Sequence, residues 1–352
     1  MLSALTKELA GGKPLTEEQV AVAVGELAGE KEPAEIKADF LAALARKGET
    51  TGEIAAFARA LQARAIVPPL DAETRARTIL DVCGTGGDRL NTFNISTTVA
   101  LVLAAAGVRV AKHGNRAVTS QAGSADVLEA LGIKIDLTPE QAAAWLRDLH
   151  FAFFFAPNWH PAFKQIAPAR RLCGQRGQRT IFNFLGPLLN PARPGAQLIG
   201  VPRRELCGPM AVVLQSLGVR RGMVVCGSVV DNGKRRYLDE FSILGNNCVA
   251  EFAQDPPRLR SIPRRGFPIQ PATLADLAGA DSRTNAAIVR RLLSGEDRGP
   301  KRDAILLNSG AALYIAGQSR SCAAGWKKAA ELIDSGTAQS KLQELIAASK
   351  GA

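Results

Sequence analysis

From Thr78 onward, short apolar runs alternate with segments of helical periodicity, and this alternation restricts the fold more than any other feature of the chain. Thr78 to Cys83 is an apolar run suited to a buried strand. The Gly-rich turn Gly84-Thr85-Gly86-Gly87-Asp88 follows, and a helix is expected from about Ser96 to Ala106. Val108 to Ala111 reads as the next strand and Ala125 to Leu131 as the next helix. Further strands are expected at Phe151 to Phe155, Leu198 to Val201 and Gly222 to Cys226, and helices at Asn285 to Leu293, Ala304 to Ala316 and Ala323 to Ile333. Alternation of this kind builds a mainly parallel sheet, whose ligands sit at the carboxyl ends of the strands. Pro256 to Pro271, rich in Pro and Arg, reads as a surface connection.

The first seventy residues read as helices only. Thr16 with Gln19, and Thr50 with Glu53, have capping-box spacing, in which each side chain satisfies a free backbone N–H at the helix start. Ile36, Phe40, Leu41 and Leu44 fall on one helical face, as do Ile54, Phe57 and Leu61. Pro68 and Pro69 close this segment, because neither donates a backbone hydrogen bond. At roughly 150 residues per domain, the 352 residues fit two lobes. The expected fold class is α/β: a small all-helical domain, residues 1–70, and a larger α/β domain, residues 71–352, with a mainly parallel central sheet.

The balance of 44 Lys+Arg against 33 Asp+Glu gives a formal charge of +11, which names an anionic partner and says nothing about fold. The N-terminal stretch lacks a sustained apolar run. The longest such run, Val99 to Val108, is about half of the ~20 residues a membrane helix needs, so neither secretion nor membrane insertion is expected. Cys83, Cys173, Cys207, Cys226, Cys248 and Cys322 lie far apart with no zinc-type spacing, as reduced thiols in a cytoplasm would.

Four clusters carry chemistry. The Gly84 to Asp88 turn lets backbone N–H groups approach a phosphate closely, although a plain strand-to-helix turn has the same composition. Asn94-Ile95-Ser96-Thr97 opens the next helix, where hydroxyls and free N–H groups meet the positive end of the dipole; Ser96 or Thr97 has the plain N-cap as its other reading. Lys112-His113-Gly114-Asn115-Arg116 lies just past the second strand and suits an anionic ligand, or else forms a solvated basic loop. Asp239-Glu240 is either a solvated turn or a Mg²⁺ pair, since Mg²⁺ takes one or two carboxylates together with substrate phosphate oxygens. His150, His160, Trp145, Trp159 and Trp326 read as packing or surface residues.

Taken together, Asp81 to Thr97 (DVCGTGGDRLNTFNIST), Lys112 to Arg116, Gly123 to Gly132 (GSADVLEALG), Phe155 to Ala162 (FAPNWHPA), Arg179 to Pro191 (RTIFNFLGPLLNP), Asp239-Glu240 and Asn308 to Gly317 (NSGAALYIAG) closely resemble the anthranilate phosphoribosyltransferase family of tryptophan biosynthesis. The resemblance implies a helical domain, joined by part of residues 165–195, hinged to the α/β domain and paired into a homodimer through the helical domains. It also implies transfer of phosphoribosyl from phosphoribosyl pyrophosphate to the amine of anthranilate. Carried over by motif, Gly84, Gly87, Asp88, Thr92, Asn94, Ile95, Ser96, Thr97, Lys112, Asn115, Ser120 and Ser124 would hold the donor. Ser96, Asp239 and Glu240 would serve two Mg²⁺ ions. Gly84, His113, Asn115, Arg170 and Pro187 would line the anthranilate channel, with no residue assigned as general acid or base.

The sequence departs from the family pattern between Arg170 and Arg179, which is about three residues longer and brings Arg176 beside the expected channel. Thr119 and Gln121 stand for a more usual Ser and Lys, and Ala45-Arg46-Lys47 lacks a customary Met. Two alternatives follow: transfer to another aromatic amine, motivated by the longer segment, and a basic nucleic-acid-binding paralogue, motivated by the charge. Retention of all four clusters disfavours the second. Lys112, Arg116 and Arg170 would answer the anionic substrates, while Arg258, Arg260, Arg264 and Arg265 stay outside that explanation.

Overall fold

The computed structural model describes residues 1–117, 121–231 and 233–351. Its N-terminal part is helical: α1 (Leu2–Ala10), α2 (Glu17–Ala28), α3 (Ala34–Lys47), α4 (Thr51–Gln62) and the short α5 (Ala72–Ala76). Helices α2 and α4 begin where the capping boxes place them. Thr16 Oγ1 accepts the Gln19 N–H at 3.2 Å while the Gln19 carboxamide accepts the Thr16 N–H at 3.0 Å, and Thr50 and Glu53 repeat the arrangement. Glu53 also accepts the Leu15 N–H at 3.0 Å and the Lys47 ammonium at 2.7 Å, which ties the start of α4 to the end of α3. Phe40, Leu41, Leu44, Ile54, Phe57 and Leu61 are buried; Ile36 is half-buried.

The chain next alternates as expected, beginning with β1 (Ile79–Gly84), α6 (Ile95–Ala105), β2 (Arg109–Gly114), α7 (Ser124–Leu131), α8 (Pro139–Asp148) and β3 (Phe151–Phe155), and the alternation ends only in a run of four strands from residue 221 to 262. The one-turn α9 (Ala156–Trp159) leads into α10 (Ala162–Gln175), which packs on α2 and α3, and α11 (Phe182–Leu185) lies against α4. The chain then returns to the sheet as β4 (Ala196–Gly200), α12 (Cys207–Ser216), β5 (Arg221–Asp231), β6 (Lys234–Leu238), β7 (Asn247–Phe252) and β8 (Arg258–Ile262). Helices α13 (Ser282–Leu293), α14 (Pro300–Ile315), α15 (Cys322–Asp334) and α16 (Thr337–Lys350) complete it. One expectation is corrected here: part of the segment 256–271, read from sequence as a surface connection, is the edge strand β8. Its residues are exposed, as a surface segment's are, apart from the half-buried Ile262, yet it pairs antiparallel with β7 and an Arg260–Glu251 ion pair spans the two.

The strands form one sheet in the order β3-β2-β1-β4-β5-β7-β8, with β6 beside β5. From β3 to β5 the pairing is parallel; β6, β7 and β8 are antiparallel. The chain leaves β1 toward β2 and β3 on one side and returns to β4 on the other. The order therefore reverses between β1 and β4, and a crevice at a parallel sheet's carboxyl edge opens at such a point. Gly84 and Gly200, register partners, end these two strands. Val99 to Leu103 of α6 are fully buried, so the helix that points its N-terminus at the crevice is fixed in the core.

Candidate active site

Asp239 and Glu240 arrive at the crevice from far along the chain. The segment after β6 crosses over the ends of β1, β4 and β5, and glycine is required beneath it: a Cβ on Gly84 or Gly200 would meet Asp239, and one on Gly227 would meet Glu240. Asp239 Oδ2 accepts the Gly86 N–H at 2.6 Å, so the carboxylate is fastened to the Gly-rich turn. That turn needs positive φ at Gly86 (77°) and Gly87 (86°), which glycine adopts without strain. Burial and repulsion from Asp88 and Glu240 push the Asp239 carboxyl well above its ordinary range. Burial likewise pushes Glu240 up to about 7, although Lys112 and hydrogen bonds from Ser96 pull the other way.

Of the donor residues expected from the motifs, Gly84, Asp88, Ser96 and Lys112 lie beside these carboxylates. Asn94 is the N-cap of α6, which removes the plain-cap reading for Ser96 and Thr97. The Asn94 side chain is occupied elsewhere, donating to the Ala122 carbonyl at 3.2 Å and accepting from Asn285 at 2.8 Å. Lys112 is buried and donates to the Val82 carbonyl at 2.8 Å and to Ser96 Oγ at 3.3 Å. Asp88 accepts the Leu90 N–H at 3.1 Å, Thr92 bridges to Ala278, and Ser124 donates to the Asn115 carbonyl at 3.4 Å. Ser120 lies outside the described residues, as does Thr119. Thr85 Oγ1 and Thr97 Oγ1 are buried without a hydrogen-bond partner among the described residues, a costly state. Thr85 was singled out only as part of the turn; its orphaned hydroxyl adds it to the candidates.

Beside the carboxylates lies a cavity of about 200 Å³ lined by Gly84, His113, Asn115, Arg170 and Pro187 together with Cys83, Thr85, Phe163 and Phe182. All five residues expected along the acceptor channel therefore meet in one place. Arg170 lies over the Phe182 ring at 5.0 Å, a cation held by an aromatic face. His113 Nδ1 lies 3.1 Å from the Gly186 carbonyl and His113 Nε2 lies 3.2 Å from His160 Nε2. The carbonyl only accepts, so His113 Nδ1 carries a proton, and His113 Nε2 is engaged by the His160 ring. Burial and the neighbouring His160 push His113 down to about 3, and burial pushes His160 down to about 4, so both are neutral at pH 7. His160, read from sequence as a packing or surface residue, is thus a buried partner of a cavity wall.

Two arginines sit elsewhere than the sequence placed them. Arg116 pairs with Asp126 and Glu129 and lies over Phe155, outside the acceptor cavity. Arg176, in the longer segment, pairs with Asp39 of α3 at 2.8 Å on the surface. Helix α10 runs to Gln175 and the chain then turns at Gly177, whose φ is 67°; from Arg170 to Arg179 only Arg170 lines the cavity among the described residues.

The crossing over β4 makes a sharp prediction. Gly200→Ala places a methyl group on the Asp239 carbonyl. It is expected to lower stability by about 1–3 kcal/mol through overpacking and turnover by more than about tenfold through displacement of a positioned group. Thermal unfolding and kcat measure both, and wild-type values for both would disprove the contact.

A family model described as the helical bundle domain of a glycosyl transferase family matches residues 3–65, and one described as that family's a/b domain matches residues 76–339. The chain is 46% identical over 348 residues to an anthranilate phosphoribosyltransferase of Moorella thermoacetica, covering 99% of this chain and 98% of the relative. It is 45% identical over 332 residues to one of a Geobacter species, covering 91% of each. Among solved structures, the enzyme from Thermus thermophilus superposes with a TM-score of 0.87 at 39% identity, over 98% of this chain and 99% of that one. The Saccharomyces cerevisiae enzyme in complex with PRPP and Mg gives 0.86 at 27% identity, over 100% and 98%. The fold and site define a glycosyl transferase built from a helical bundle and an α/β domain. Within that class, the chain belongs to the anthranilate phosphoribosyltransferase family.

Proposed function

We propose that this chain transfers the phosphoribosyl group of phosphoribosyl pyrophosphate to the amine of anthranilate, giving N-(5-phosphoribosyl)anthranilate and pyrophosphate. The observation that carries the reading is a single crevice in which the Gly-rich turn, Lys112 and the Asp239-Glu240 carboxylates adjoin a cavity walled by Arg170 and Asn115. The donor lies along the turn and the start of α6, with its diphosphate toward Lys112 and the free N–H groups. Anthranilate enters the cavity with its carboxylate toward Arg170. The amine attacks C1 of the ribose as pyrophosphate leaves, so positive charge grows on the sugar and negative charge on the leaving group; the ammonium formed then gives up its proton to water or the departing pyrophosphate.

Asp239, Glu240 and the Ser96 hydroxyl fit Mg²⁺. The carboxylates are buried against each other, Lys112 is the cation that faces Glu240, and no three His, Cys, Asp or Glu among the described residues form a closed cage. That is the donor set of an ion completing its shell with water and substrate phosphate. We propose two such ions; bound there, Mg²⁺ neutralises the departing diphosphate. Lys112 and the turn's N–H groups stabilise the same charge. Among the described cavity residues His113 has both nitrogens engaged and burial raises the Cys83 thiol well above its usual range, so neither is a free base. An aryl amine is already neutral at pH 7, and holding it against C1 supplies the rest.

We also place the helical domain at residues 1–70, joined by part of 165–195; α10 and α11, packed on α2, α3 and α4, support this. Pairing of two chains through that domain and a cytoplasmic setting complete the proposal, the latter supported by six free thiols. No helix among the described residues is long and apolar enough to cross a membrane.

The test is loss of anthranilate fluorescence with phosphoribosyl pyrophosphate and Mg²⁺, run beside a panel of aryl amines with and without an ortho carboxylate. Anthranilate is expected to be the preferred substrate. Arg170→Ala is expected to raise KM for anthranilate about tenfold, as loss of a charge-assisted hydrogen bond does, and to leave KM for the donor unchanged. Equal turnover of aniline and anthranilate would remove Arg170 from acceptor recognition.

A further inference from the structure

The crossing segment has no regular secondary structure between Asp239 and Asn246, so its buried backbone polar groups must find partners elsewhere. Two asparagines supply them. Asn308, fully buried on α14, accepts the Phe241 N–H at 2.9 Å and donates to the Phe241 carbonyl at 3.0 Å. Its remaining N–H goes to the Ala304 carbonyl one turn back at 2.9 Å, which fixes its rotamer. Asn247, fully buried at the start of β7, does the same for the next residue: it accepts the Ser242 N–H at 2.7 Å and donates to the Ser242 carbonyl at 3.1 Å. Each carboxamide gives one residue the donor and acceptor that a neighbouring strand would give. Ser242 Oγ adds a bond to the Ser228 carbonyl at 2.8 Å.

Phe241 directly follows Glu240. The carboxylates repel one another, and the glycines at 84, 200 and 227 present no side chain beneath them, so no side chain of theirs grips the backbone from the sheet side. We propose that Asn308 and Asn247 are positioning residues that clamp the backbone behind Asp239 and Glu240 and so set divalent-metal affinity at the diphosphate site. This rests on the metal reading given under Proposed function. Groups that orient metal ligands typically govern affinity by 10- to 100-fold, which is roughly the effect expected here.

The experiment measures Mn²⁺ binding by electron paramagnetic resonance, with phosphoribosyl pyrophosphate present, for wild type, Asn308→Ala, Asn247→Ala and Asp239→Asn. The same proteins are assayed for kcat against Mg²⁺ concentration, and circular dichroism checks that each is folded. Asn308→Ala and Asn247→Ala are expected to raise the Mn²⁺ Kd and the half-saturating Mg²⁺ concentration by about tenfold or more, while kcat recovers at saturating Mg²⁺. A structural role alone would lower kcat or folded fraction without moving Kd. If Asp239→Asn weakens Mn²⁺ binding and the folded asparagine variants do not, the clamp is overturned while the metal reading stands. If Asp239→Asn leaves Kd unchanged, the metal reading falls and the clamp with it. Should Asn308→Ala not fold, Asn247→Ala decides by the same criterion.

Discussion

Asp239→Asn combined with Glu240→Gln is expected to lower kcat at least about a hundredfold, the several kcal/mol that metal-assisted charge stabilisation supplies, and to make the metal-free protein more stable. The carboxylates are buried, and Asp239 faces both Asp88 and Glu240. The neutral isosteres keep the shape, and an Asn oxygen still accepts the Gly86 N–H. A carboxyl whose folded pKa is raised holds its proton more tightly when folded, so stability falls as pH rises from its ordinary value toward the raised one. For Glu240, from 4.5 to about 7, the loss is on the order of 3 kcal/mol. His113 and His160, pushed down, act oppositely and cost stability as pH falls below 6.5. They are common to both proteins, so the difference in melting temperature between pH 5 and pH 8, in a chelator, isolates the carboxylates. The variant is expected to gain most at pH 8; an unchanged kcat would remove both residues from the site.

Lys112→Met has the opposite stability signature. Methionine keeps the buried aliphatic stem but deletes the ammonium that bonds the Val82 carbonyl and Ser96 Oγ. Turnover is expected to fall about 10²- to 10³-fold, as when a preorganised donor to a charged leaving group is lost. Stability should fall by about 1–3 kcal/mol, because a buried carbonyl is left unpaired. Asp81, which burial raises to about 6 against the pull of Lys112, is expected to rise further. The double carboxylate substitution thus loses catalysis and gains stability, and Lys112→Met loses both. Stability measured alongside kcat tells them apart, and near wild-type kcat in Lys112→Met would show that the ammonium is structural only.

The parts of this site legible in sequence are those set by local geometry. Glycine after a strand, hydroxyls at a helix start and a basic run after the next strand lie on consecutive strand ends, and strand–helix alternation alone brings such ends together. The crossing of Asp239 over Gly84 and Gly200 was not legible, because it depends on contacts between distant residues, Asp239 and the Gly-rich turn being more than 150 positions apart. Asn308 stood in a recognised motif, but nothing in its spacing to Phe241 announces a backbone clamp. The packing of His160 was legible but its contact with His113 was not, because the two lie on different elements, and the pairing of β8 was hidden because its exposed arginines read as a surface connection. Helices α8, α12 and α16 were passed over, although Thr138-Pro139 and Gln141 form a capping box that announces α8. Arg116 and Arg176 show the reverse error: charge close in sequence to a site was counted as part of it, whereas carboxylates on Asp126, Glu129 and Asp39 had already claimed it.

The central claim is that one crevice joins a Mg²⁺-bound diphosphate leaving group to an anthranilate cavity. It is tested most directly by following phosphorus resonance and anthranilate fluorescence together after mixing enzyme, phosphoribosyl pyrophosphate, Mg²⁺ and anthranilate. One pyrophosphate should be released for each anthranilate consumed, and a chelator should stop both. Pyrophosphate release without anthranilate consumption, or neither with all components present, would contradict the account.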